Sequence, residues 1–243
     1  MVHRFFLDNF LDCNISIKLP KKICSHSHVL RLRTEDTIQL FNGDGYHYDA
    51  RIHVIDRNNI DAHIYAKTYA NNESNLKIGL IQCFSTSQKM DFVIQKSVEL
   101  GVNEIYPVIS KRTNAKFILE KNKNKIQRWN EIIYAACEQS GRAVIPLLHP
   151  ISDLTSTLES ITTKNKFILH TKREPNATYN FIPDKNNLVV IAIGPEGGFS
   201  EQELVHAKEN HFIPYSLGPR ILRTETAPIA AISSLQTRYG DFN

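Results

Sequence analysis

The stretch Leu188-Val189-Val190-Ile191-Ala192-Ile193-Gly194-Pro195-Glu196-Gly197-Gly198-Phe199-Ser200 decides the fold. Leu188 to Ile193 is an uninterrupted apolar run bounded by turn residues, the pattern of a buried strand, and it is far too short to cross a bilayer. Gly194, Gly197 and Gly198 crowd its end, where open α/β sheets hold their ligands, and glycines let a ligand approach the backbone without side-chain obstruction. Ser200 and Glu203 fit the S-x-x-E capping box, so a helix starts directly after the loop. A phosphate loop fits poorly: G-x-x-x-x-G-K-[ST] and G-x-G-x-x-G are both missing, and Glu196 puts negative charge where a phosphate would lie. Taken alone, the loop is equally compatible with a tight structural turn.

A second glycine segment lies downstream, Ser216-Leu217-Gly218-Pro219-Arg220-Ile221-Leu222-Arg223-Thr224-Glu225-Thr226-Ala227, between an expected strand over Pro214 to Leu217 and a last helix from Thr226 to Tyr239. Thr226 is the expected cap of that helix, and Pro228 is tolerated in the first turn, where amides have no internal partner. Ala227, Ala230, Ala231, Ser233 and Ser234 make a small-residue face, open to packing within the chain or against a second copy.

Working outward, Leu76 to Cys83, Glu104 to Ile109 and Lys166 to His170 read as further strands of a largely parallel sheet. Met90, Val93, Ile94, Ser97 and Val98 recur at helical spacing, which turns Asp91, Gln95, Lys96 and Glu99 outward, and Gly101 stops the helix. Ile126, Trp129, Ile132, Ile133, Ala136 and Cys137 trace the buried side of a second helix. Upstream, Thr37 to Phe41, the turn Asn42 to Gly45, Tyr46 to Ile55 and Ile60 to Lys67 alternate as strands, with one short helix expected near Ser27 to Leu32. The polar segment Tyr69 to Asn75 loses all periodicity and reads as the linker. The expected division is residues 1–72, a small β domain, and residues 73–243, an α/β domain.

The net charge of +4 is too mild to announce a nucleic-acid partner, so distribution matters more. Lys111, Arg112, Lys116, Lys121, Lys123, Lys125 and Arg128 share one stretch, and Arg31 and Arg33 another. Cys13, Cys24, Cys83 and Cys137 show no C-x-x-C pair, which reads as reduced and structural, and no histidine cluster suggests a metal. With Asp8, Asn9 and Asp12 interrupting the apolar N-terminus, the expectation is a cytoplasmic protein without membrane contact.

These residues carry a family resemblance. Lys89, Asp91, Gln95, Lys96, Glu99, Leu100 and Gly101, Glu138 to Arg142, Gly194 to Phe199 and Ser216 to Ala227 resemble the ribosomal small subunit methyltransferase E family. Arg4, Phe5, Phe6 and His28 to Arg31 resemble that family's RNA-binding, PUA-like β-barrel domain. The resemblance implies a SPOUT-type C-terminal domain tied in a deep trefoil knot around a parallel sheet, and a homodimer. It implies methyl transfer from S-adenosylmethionine to N3 of uridine 1498 in 16S ribosomal RNA, with no metal. The cofactor would lie between the strand end at Leu169 and His170, the loop with Gly194, Gly197 and Gly198, and the loop with Leu217, Gly218, Ile221, Leu222 and Arg223.

Methylating N3 of uracil requires loss of the imide proton, so a permanently charged guanidinium near the carbonyls helps; Arg223 is the candidate. Glu196 or Glu225 is the candidate proton acceptor. N3 lies on the pairing edge, so the target base must be unpaired or flipped, and Arg4, Arg31, Arg33, Lys89, Lys96, Arg112 and Arg142 are the expected phosphate contacts. Two other readings stay open: methylation of a ribose 2′-hydroxyl or another base position, and a non-catalytic RNA-binding assembly factor.

Overall fold

The computed structural model describes residues 2–56, 59–113, 122–171 and 188–242. Lys116 and Lys121 of the basic stretch lie outside the described residues. The side chains of His28 and Lys123 lie outside them as well. The chain divides into two compact units, Met1–Glu73 with Tyr134–Ile145, and Ser74–Ile133 with Pro146–Asn243. The edge at Glu73 falls within the expected linker, whereas Tyr134–Ile145, which the sequence reads as part of the second domain, groups with the first unit.

The first unit holds β1 (His3–Phe6), β2 (Ser16–Lys18), α1 (Lys21–Val29), β3 (Thr37–Phe41), β4 (Tyr46–Ile55) and β5 (Ile60–Tyr69). They form a five-stranded sheet ordered β1-β3-β4-β5-β2, antiparallel except where β1 runs parallel to β3. Alternation drives it: Tyr48, Ala50 and Ile52 of β4 and Ile60, Ala62 and Ile64 of β5 are fully buried, while their neighbours face outward. The short helix starts earlier than expected because Pro20 leads into it, its carbonyl accepting from the amides of Ile23 and Cys24, and it ends before Arg31, whose φ is +57°.

Tyr134–Ile145 joins this unit through long-range contacts. Phe6 stacks on Tyr134 at 4.0 Å, and its amide donates to Glu138. Arg142, only 4% exposed, donates from Nε and Nη2 to the two oxygens of Glu73 at 2.8 and 2.7 Å.

The second unit contains β6 (Lys77–Cys83), α2 (Ser87–Glu99), β7 (Glu104–Ile109), most of α3 (Asn122–Ser140), β8 (Leu147–Leu148), β9 (Ser152–Asp153), α4 (Leu154–Ser160), β10 (Asn165–Leu169), β11 (Leu188–Ile193), α5 (Glu201–Glu209), β12 (Ile213–Tyr215) and α6 (Thr226–Tyr239). Its sheet runs β12-β10-β11-β6-β7-β8, with β9 also on β7, and every pairing is parallel. As expected for a sheet covered on both sides, the central strands are almost wholly buried: Val189 to Ile193 on β11, Ile78 to Cys83 on β6. The parallel order sets the carboxyl ends of β12, β10, β11 and β6 along one edge.

Helix α2 buries Met90, Val93, Ile94, Ser97 and Val98, the stripe read from sequence. On α6, Ala227 and Ala231 are buried within the chain, while Ala230, Ser233 and Ser234 are only partly covered. Thr226 is not its cap: Glu225 precedes the helix in an α-helical conformation without a side-chain capping bond, so the start is fixed by backbone bonds from Thr226 and Ala227 to the Arg223 carbonyl. Gln236, buried on the same helix, donates to the Leu100 carbonyl and accepts from Ser74.

None of the four cysteines is in a disulfide, and burial pushes the Cys137 thiol up to about 12, which leaves it inert. Among the described residues no helix is long and apolar enough to cross a membrane, and no group of His, Cys, Asp or Glu is placed to hold a metal ion.

Candidate active site

At the carboxyl edge of the second sheet lies a cavity of about 600 Å³. Three strand ends supply its wall: Leu169, His170 and Thr171 after β10, Ile193 to Phe199 at the end of β11, and Tyr215 to Gly218 with Arg220 to Thr224 after β12. Every cofactor candidate of the sequence, Leu169, His170, Gly194, Gly197, Gly198, Leu217, Gly218, Ile221, Leu222 and Arg223, is in that wall, as is Glu196.

Local chemistry explains why the loops stand open. Gly218 has φ +115° and Gly198 φ +67°, conformations that side chains resist, and nothing would meet a Cβ at either position. Gly194 is needed for room, since a Cβ there would come within 3.2 Å of the Phe199 ring. After the loop, Ser200 and Glu203 form the expected capping box, and the same buried glutamate accepts from the Lys111 amide at 2.8 Å. Arg112 follows, and its guanidinium donates to the Gly197 carbonyl at 2.8 Å.

The two glycine loops are tied together by a hydroxyl. Thr224, 6% exposed, donates to the Gly194 carbonyl at 2.7 Å and accepts from the Gln82 amide at the end of β6.

Glu196 has a crowded neighbourhood. Its Oε1 accepts from Ser85 at 2.5 Å and from Lys89 at 3.0 Å, and Lys89 also lies 3.4 Å from Glu225. Burial pushes the Glu196 carboxyl up, but hydrogen bonds from Ser85, its own backbone and Lys89, with the Lys89 charge, outweigh burial and hold it below the ordinary carboxylate value. The same bond raises Lys89, so both stay charged at neutral pH. A carboxylate held ionised in this way is a weak base, which disfavours Glu196 as a proton acceptor. Arg223 is exposed at the cavity and makes no ion pair among the described residues.

The expected phosphate contacts separate into groups. Arg31 and Arg33 are exposed on the first unit. Lys89 and Arg112 belong to the cavity wall. Lys96 pairs with Glu99 one helical turn away. Arg4 is half-buried, donating to His47 and to the Arg142 carbonyl and lying 5.1 Å from the Phe41 ring centre. Arg142 is buried on Glu73, so its guanidinium is committed inside the unit and faces no phosphate. Sequence reasoning missed Ser85, Gln82 and Thr224 as parts of the site, since lone hydroxyls and amides carry no pattern. It also missed Tyr215 and Thr171 in the wall.

Comparison with known proteins matches this geometry. The family profile described as RNA methyltransferase domain matches residues 72–236, and that described as RNA methyltransferase PUA domain matches residues 27–65. The ribosomal RNA small subunit methyltransferase E of Buchnera aphidicola subsp. Schizaphis graminum is 39% identical over 249 residues, covering 100% of this chain and 98% of that protein. The crystal structure of a ribosomal RNA small subunit methyltransferase E from Neisseria gonorrhoeae, bound to S-adenosyl methionine, superposes with a TM-score of 0.93 at 40% identity, covering 100% of both chains. A Legionella pneumophila methyltransferase in complex with its cofactor SAM gives 0.91 at 36% identity, again over 100% of both.

Proposed function

Because the chain belongs to the ribosomal RNA small subunit methyltransferase E family and is an S-adenosylmethionine-dependent rRNA methyltransferase, we propose that it methylates N3 of a single uridine, uridine 1498 of 16S RNA, in the cavity between its two glycine loops. One observation supports this most: both loops, far apart in sequence, meet around one cavity of ligand size at the carboxyl edge of a parallel sheet.

The wall suits the cofactor. Apolar Leu169, Ile193, Phe199 and Leu217 can cover a purine, while the loops around Gly194 and Gly218 offer backbone amides and carbonyls to its edges. When bound, S-adenosylmethionine supplies an activated methyl group, so the protein's task is to orient the base and lower the cost of its anion.

Arg223 carries the second task. Its guanidinium, unpaired among the described residues, donates to a uracil carbonyl and favours loss of the N3 proton. Thr224 fixes the backbone beside it. Arg112, in the cavity wall, grips a phosphate of the flipped nucleotide, and Arg31 and Arg33, exposed on the first unit, are further contacts to the RNA backbone. The same reading gives the second unit a trefoil knot, makes the enzyme a homodimer through the partly covered face of α6, and places it in the cytoplasm with the ribosome.

Reverse transcription of small-subunit RNA from a strain lacking the gene tests the target. N3 methylation blocks pairing, so a polymerase stop present in the parent strain and absent in the deletion supports the reading. A stop pattern unchanged by the deletion contradicts it.

A further inference from the structure

Among the described residues the wall's lysines and arginines are Lys89, Arg112, Arg220 and Arg223, and Glu196 is its one carboxylate. The two oxygens of that carboxylate are unequal. Oε1 is held by Ser85 and Lys89, whereas Oε2 accepts from no side chain among the described residues, and the group is 47% exposed at the cavity. Lys89 is shared with Glu225, so it does not cancel Glu196 alone.

We propose that Glu196 is the counter-charge for the sulfonium of the bound cofactor, and that it lets the cavity favour S-adenosylmethionine over S-adenosylhomocysteine. A sulfonium carries a full positive charge, so an ionised carboxylate nearby adds Coulomb attraction beyond what loop carbonyl dipoles supply. In a wall otherwise rich in lysine and arginine, the Oε2 side of the Glu196 carboxylate, to which no described side chain donates, brings negative charge. Ser85 and Lys89 fix the other oxygen, so the carboxylate is oriented before a ligand arrives. S-adenosylhomocysteine has a neutral thioether at the same atom and gains nothing from this charge, which favours exchange of spent cofactor for fresh.

The inference rests on the cofactor occupying this cavity. Calorimetric titration of the full-length wild type, Glu196→Gln and Glu196→Asp tests it with three probes: S-adenosylmethionine, S-adenosylhomocysteine, and sinefungin, which carries an ammonium in place of the sulfonium. Glu196→Gln is expected to weaken the two cationic probes roughly tenfold and S-adenosylhomocysteine by less than about twofold, with Glu196→Asp keeping most of the preference.

Equal weakening of all three probes, or of none, overturns the charge role. Unchanged affinities with a slower single turnover and a displaced pH profile also overturn it, and would make Glu196 the acceptor of the uracil proton. Leu217→Trp, which crowds the same cavity, separates the two failures. If it abolishes binding of all three probes while Glu196→Gln changes nothing, the charge role alone fails; if all three still bind normally, the cavity itself has been misassigned.

Discussion

The hydroxyl of Thr224 donates to the carbonyl of Gly194, 30 positions earlier in the chain, at 2.7 Å, and so joins the two glycine loops. The bond is partly buried, and the same hydroxyl oxygen accepts from the Gln82 side-chain amide, so the second loop is anchored through Thr224 to the ends of both β11 and β6. Replacing Thr224 with Val keeps the shape and removes the bond. The expected loss is about 1 to 2 kcal/mol of loop coupling, read as roughly tenfold weaker S-adenosylhomocysteine binding, with Thr224→Ser close to wild type. Equal affinity for all three proteins contradicts the coupling.

Arg223 should separate binding from chemistry. Arg223→Ala is expected to bind S-adenosylhomocysteine within about threefold of wild type while single-turnover methylation falls by roughly 10²-fold or more, the scale of removing one preorganised donor to a developing anion. Full single-turnover activity in this variant would remove the arginine from the mechanism.

The Glu196–Lys89 pair sets a pH window. The folded carboxyl lies below its ordinary value, so its contribution is present above the unfolded pKa of about 4.3 and is lost as pH falls through the folded one. Lys89 is raised, so its contribution is complete below about 10.4 and is lost as pH rises through the folded value. The melting difference between wild type and Glu196→Gln should therefore stay flat from about pH 6 to 9 and shrink below about pH 4. Both side chains are partly exposed, so the difference itself is small. A difference that grows on acidification contradicts the assignment.

Among the arginines of the first unit, burial decides the role. Arg142→Ala strands the Glu73 carboxylate and should cost about 3 kcal/mol of stability, seen as a lower melting midpoint, without altering the salt dependence of RNA affinity in the folded protein. Arg31→Gln should leave melting unchanged and reduce the slope of log affinity against log salt by about one. The reverse pattern would exchange their roles.

What could be read from the sequence was whatever has a short period or a local motif. The buried stripe from Met90 to Val98 and the capping box of Ser200 and Glu203 needed only neighbours within a few residues, and both stand as expected. The strands β1, β2, β8 and β9 were not read, because two to four residues hold too little alternation and their partners are distant. Tyr134–Ile145 is continuous in sequence with a helix of the second unit, yet it groups with the first unit through Arg142 on Glu73 and Tyr134 on Phe6. Lys89 shows the same limit at the site: on a helix's outer face it reads as a phosphate contact, and its partner Glu196 lies 107 residues away. Glycine loops announced where the cavity would be; the hydroxyls and charges that finish it became visible only in three dimensions.

Hydrogen exchange with and without S-adenosylhomocysteine tests the central claim most directly. If the cofactor sits between the two loops, amides in residues 194–200 and in residues 217–225 should slow together on saturation. Protection confined to other segments, or to one loop with the other unchanged, would contradict the cavity as the cofactor site.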